Sequence, residues 1–88
     1  MDRHVIFGVH LTDRLHHAGM VQQLLTQYGE HIRTRLGLHA AHGHRGGPNG
    51  LILLEMLGDD PTLDVIQGQL EALDGVEVQR MVFHHPAS

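Results

Sequence analysis

From residue 4 the chain alternates, with Val5, Phe7, Val9 and Leu11 at every second position and His4, Ile6, Gly8 and His10 between them. Successive side chains of a strand point to opposite faces, so this period of two predicts a strand with one apolar face. Thr12 or Asp13 then offers an oxygen to the free N–H groups that open a helix. Behind it Leu15, Ala18, Val21, Leu24 and Leu25 recur at helical spacing. Gly29 is placed to stop that helix, because glycine takes φ > 0 without steric cost.

A second alternation runs from Glu30 to Ala40, where Ile32, Thr34, Leu36 and Leu38 interleave with His31, Arg33, Arg35, Gly37 and His39. The first set is expected toward the core and the second away from it. His42 to Gly50 holds four glycines and a proline and reads as a loop. Leu51 to Leu57 is short and nearly all apolar, as a central strand requires. Asp60 is the expected cap of a second helix with Pro61 at its first position, and Leu63, Ile66, Leu70 and Leu73 form its apolar stripe. Gly75 ends it, Val76 to Phe83 makes a last strand, and His84 to Ser88 is a tail.

The order βαββαβ predicts an α+β, ferredoxin-like sandwich. Right-handed crossovers give a four-stranded antiparallel sheet of order 4-1-3-2 with two helices on one face. Residues 1–88 read as one domain with an ordered core of about 3–84, since so short a chain has room for a single modest core.

Composition narrows the chemistry. Cysteine is absent, which excludes disulfides, thiolate nucleophiles and thiolate metal sites. No lysine occurs, the six arginines are scattered and the net charge is −4, so no basic stripe is available for direct nucleic-acid binding. No stretch is apolar enough for a membrane span and no signal-peptide pattern opens the chain, so a cytoplasmic, soluble protein is expected. Neither a nucleophile elbow nor a phosphate-cradling loop ahead of a helix is present, so catalysis is not expected. Ten histidines in 88 residues is the unusual count.

The helices leave one sheet face open. Alternation places His4, Ile6, Gly8 and His10 there from the first strand, and Arg33, Arg35, Gly37 and His39 from the second. Leu51, Leu53, Glu55 and Leu57 follow from the third. Pairing Ala40 with Gly50 sets Arg35 opposite Glu55, a favourable cross-strand couple. The apolar part of this face predicts an interface, with self-association to an isologous dimer or a tetramer as the expected arrangement. Gly8 and Gly37 would let a partner backbone or a ligand approach closely. With the first and third strands taken to run one way, and the second and fourth the other, His4, His39 and His84 share one sheet end with the loop. His10 and His31 then lie at the opposite end. His39, His42 and His44 form the densest set and are the candidate ligands of a divalent transition metal, nickel, zinc, copper or cobalt.

Tyr28-Gly29-Glu30-His31-Ile32-Arg33-Thr34-Arg35-Leu36-Gly37-Leu38-His39, Asn49-Gly50-Leu51-Ile52-Leu53-Leu54-Glu55 and Gly75-Val76-Glu77-Val78-Gln79-Arg80-Met81-Val82-Phe83 together resemble the ACT-like family of iron-only hydrogenase system regulators. The resemblance runs from about Val5 to Phe83. It implies a ferredoxin-like domain similar to the C-terminal regulatory half of the nickel-responsive repressor, assembling through sheets and placing ligands near subunit interfaces. The repressor's nickel site uses a cysteine, which this chain lacks, so that site does not carry over. Its N-terminal DNA-binding segment has no counterpart here either, and no direct contact with nucleic acid is expected. The resulting expectation is a non-catalytic, ligand-sensing module that self-associates. A histidine-rich metal-binding accessory protein and, behind it, a small cofactor-independent enzyme remain open alternatives.

Overall fold

The computed structural model describes residues 3–12, 14–38 and 50–85, without the side chains of 14–18 and 38. Strand β1 spans Arg3–Leu11, helix α1 Arg14–Gln27, β2 Ile32–Leu38, β3 Gly50–Met56, helix α2 Asp60–Glu71 and β4 Val76–His84. The sheet order is β2-β3-β1-β4 and every neighbouring pair is antiparallel, which is the ferredoxin-like arrangement. No helix among the described residues is long and apolar enough to cross a membrane.

Alternation in β1 does what its period dictates. Val5, Phe7, Val9 and Leu11 are buried while His4, Ile6, Gly8 and His10 stay partly exposed. The buried four join Leu54 and Met56 of β3, Val76 and Val78 of β4, Val21 and Leu25 of α1, and Leu63, Ile66 and Leu70 of α2 in one cluster. Both helices therefore cover a single sheet face. Phe7 is the only aromatic ring in that cluster, so aliphatic packing supplies nearly all of the core. Arg80 closes it at the β4 edge, where Nη1 donates to Asp64 Oδ1 at 2.7 Å and the guanidinium lies 5.5 Å from the centre of the Phe7 ring.

Local signals at the helix ends differ from expectation in three places. Asp59, rather than Asp60, caps α2. Its Oδ1 accepts from the Thr62 N–H at 2.9 Å, while Asp60 is the first helical residue and pairs with Arg3 at 2.7 Å. Gly29 does not end α1 through a positive φ. The helix stops at Gln27, and Gly29 opens a single 3-10 turn through His31. Positive φ occurs instead at Gly58 (142°) and Gly75 (79°), on either side of α2. Thr12 bonds through both its N–H and its hydroxyl to the Gly75 carbonyl, at 2.8 and 3.1 Å, and Asp13 lies outside the described residues.

Strand direction also differs. β1 and β3 are antiparallel, so β1 runs with β2 and β3 runs with β4. The reason is topological: a helical crossover returns the chain to the starting side and joins parallel strands, whereas the β2–β3 connection reverses direction. His31 consequently lies at the sheet end of His4 and His84. Leu38, the last residue of β2, pairs with Leu51 in the row of His10, at the other end.

Candidate functional site: the open sheet face

The face turned away from the helices is a grid that can be read from the register. One row runs Thr34, Glu55, Ile6, Met81; the next runs Leu36, Leu53, Gly8, Gln79; a third runs Leu51, His10, Glu77. His4 and Phe83 pair beyond the first row. Leu36, Met81 and Phe83 are each about half exposed, at 53, 51 and 54%. Ile6, Leu51 and Leu53 are partly exposed.

On β2 this grid reverses the expected faces. A register shift falls between Ile32 and Thr34: Ile32 pairs with Met56, yet Thr34 pairs with Glu55, leaving Arg33 as the extra residue of a bulge. Each residue after the bulge therefore changes face. Arg35 and Gly37 pair with Leu54 and Ile52 on the helix side, and Arg35 Nη2 donates to Gln22 Oε1 of α1. Thr34, not Arg35, stands across from Glu55, and Leu36 moves outward to stand across from Leu53. The placement of Arg35 and Gly37 on the open face is thus corrected. His4, Ile6, Gly8, Leu53 and Glu55 lie where the alternation puts them.

Polar residues gather at one corner of the face. His4 Nδ1 donates to Glu55 Oε2 at 2.9 Å, and the Thr34 hydroxyl donates to Glu55 Oε1 at 3.2 Å. The His85 ring centre lies 4.7 Å from that of His4. Hydrogen bonding from His4 holds the Glu55 carboxyl below its ordinary range, partial desolvation opposes this, and the Thr34 hydroxyl and the charge of Arg33 add to the lowering. Both carboxylate oxygens are occupied, so this corner fastens β1, β2 and β3 together and leaves little capacity for a further ligand.

At the opposite corner the chain leaves space. Gly8 has no side chain to fill the gap among its neighbours. A concavity of about 330 Å³ opens there, lined by Gly8, His10, Leu51, Glu77, Gln79, Arg80 and Met81. Gln79 Nε2 donates to Glu77 Oε2 at 3.1 Å along its wall. No sequence signal beyond Gly8 itself singled out this concavity, because Glu77, Gln79 and Met81 look like ordinary alternating residues of an edge strand.

His39, His42 and His44 lie outside the described residues. Among the described residues, no three His, Asp or Glu side chains come together in a group able to hold a metal ion.

The fold is similar to the solved structure of an uncharacterized protein from Thermotoga maritima. The TM-score is 0.79 at 26% sequence identity, over 93% of this chain and 98% of that one. No family model and no curated protein matches the chain. The likeness is nearly end to end in both proteins, so it takes in both helices and the open sheet face together.

Proposed function

We propose that the chain is a non-catalytic, ligand-responsive module that acts by self-association through its open sheet face. The supporting observation is the outward turn of Leu36. A bulge at Arg33 carries this leucine out of reach of the core and sets it half exposed beside Leu53. A chain that packs thirteen of its described apolar residues into one core and still leaves Ile6, Leu36, Leu51, Leu53, Met81 and Phe83 on the other face is built to have that face covered.

The flat, self-matching shape of the face suits a second copy as the cover. Four strands at ~4.8 Å spacing, each rising ~3.4 Å per residue over seven to nine residues, give a surface of roughly 19 by 25 Å. That footprint of roughly 480 Å² is a little over half of the ~800 Å² per partner of an ordinary stable interface, which is the scale of a small, reversible contact. Pairing between like faces is isologous, the arrangement that closes a dimer. The likeness to hydrogenase-system regulators noted in the sequence points in the same direction, toward regulation by assembly.

Native mass spectrometry of the freshly purified chain reads copy number and any retained metal or small molecule in one spectrum. A dimer or tetramer that becomes monomeric in Leu53→Glu is the expected result. A wild-type monomer at micromolar concentration overturns the proposal.

A further inference from the structure

We infer that the concavity over Gly8 binds a small organic cation, an ammonium or guanidinium group carried on a short aliphatic chain. This rests on the reading of the open face as ligand-responsive, and it names the class of ligand.

Gly8 itself is the first reason. A glycine in the middle of a strand weakens it, through entropy and lost packing, so its presence needs a cause. The chain's own packing supplies none. A Cβ built on Gly8 would meet Leu53 Cδ2 at 3.8 Å and the Gln79 carbonyl oxygen at 3.9 Å, both ordinary contacts, and the residue has no positive φ. The missing side chain therefore serves something that approaches from outside. At about 330 Å³ the space accommodates about ten non-hydrogen atoms at roughly 30 Å³ each.

The wall chemistry selects the ligand. Leu51 and Met81 give it an apolar side. On the polar side the Gln79 amide spends a donor on Glu77 Oε2, which leaves Glu77 Oε1 and the Gln79 side-chain carbonyl without hydrogen bonds among the described residues. Two acceptors, one of them charged, thus share the β4 wall. Arg80 also lines the space, but its register puts its side chain on the opposite sheet face, where Nη1 pairs with Asp64, the guanidinium lies over Phe7, and Nε and Nη2 have no hydrogen-bond partner among the described residues. Glu77 is the one carboxylate of the lining. A donor-rich cation is what such a wall recognises, by charge-assisted hydrogen bonds, while an aliphatic tail covers Leu51 and Met81. The net charge of −4 favours the same sign of ligand.

Titration with n-hexylammonium, n-hexanoate and n-hexanol, followed by amide ¹H–¹⁵N shifts, tests this directly, with oligomer size read by sedimentation velocity on the same samples. Saturable shifts centred on Gly8, His10 and Gln79 are expected with n-hexylammonium, and none with n-hexanoate. Glu77→Gln, at an exposed position, should weaken binding about tenfold. Gly8→Val, which fills the space with a strand-favouring residue, should abolish it with the remaining spectrum intact. Equal shifts with n-hexanoate or n-hexanol, no saturable shift, or unchanged affinity in Glu77→Gln would overturn the inference. Binding by a chain that stays monomeric overturns the assembly proposal and leaves the ligand class standing, whereas an assembled chain that ignores the cation does the reverse.

Discussion

Leu36→Ser separates the bulged register from a regular one. In a regular alternation Leu36 points into the core, and its truncation would unfold the protein. In the structure it stands 53% exposed on the open face, opposite Leu53. Full burial of a leucine side chain is worth ~1.5–3 kcal/mol, and about half remains to be gained on assembly, or roughly 1 kcal/mol per copy. An isologous interface uses the residue twice, so the loss is about 2 kcal/mol, or a roughly 30-fold weaker dimer Kd. Sedimentation equilibrium over a range of loading concentrations measures that ratio. Urea unfolding at concentrations low enough for the monomer should show Leu36→Ser about 1 kcal/mol below wild type, the share of burial already present in a single copy, whereas Leu54→Ala, fully buried in the core, should lose ~2–5 kcal/mol. Arg35→Ser, on the helix side, should leave Kd unchanged. A Leu36→Ser monomer as unstable as Leu54→Ala, or an undiminished Kd, refutes the reasoning.

Two further outcomes test local assignments. Asp59→Ala removes the α2 cap and should lower the melting temperature by roughly 4–8 °C, while Asp60→Ala, which loses only an exposed pair with Arg3, should change it far less; equal effects would contradict the cap. Glu55, held below the ordinary value of 4.5, contributes stability that is complete above that value and is lost as pH falls through its folded pKa. Thermal melts across roughly pH 5 to 3 should therefore show a shallower acid decline for Glu55→Gln than for wild type, and superimposable declines would show the carboxylate to be unengaged.

How much of this was legible in the sequence depended on whether a local signal carried the answer. β1 was read correctly because Val5, Phe7, Val9 and Leu11 keep an unbroken period of two, and α2 because Leu63, Ile66 and Leu70 keep a helical one. Strand order followed from chirality. Past Arg33 the alternation of β2 misleads, because a one-residue bulge leaves the pattern of residue types intact while exchanging the faces they occupy. Nothing in Ile32-Arg33-Thr34-Arg35 marks the bulge. It is visible only from β3, where Met56 must stay in the core and Glu55 must meet His4. Strand direction is set by the antiparallel pairing of the neighbours β1 and β3, which no local signal marks and which puts His31 at the His4 end of the sheet. The concavity was half legible: Gly8 stood out, but the β4 wall that gives it chemistry depends on the pairings of Gly8 with Gln79 and His10 with Glu77.

Two methionines provide the most direct test that the open face is covered. Met20 on α1 and Met81 on β4 are 50 and 51% exposed in a single copy, so a monomer oxidises both thioethers to sulfoxide at similar rates. Dilute hydrogen peroxide followed by peptide mass spectrometry should find Met81 several-fold slower than Met20 at high protein concentration, with the two rates converging on dilution. Equal rates at every concentration, or protection of Met20 in place of Met81, would contradict self-association through the sheet.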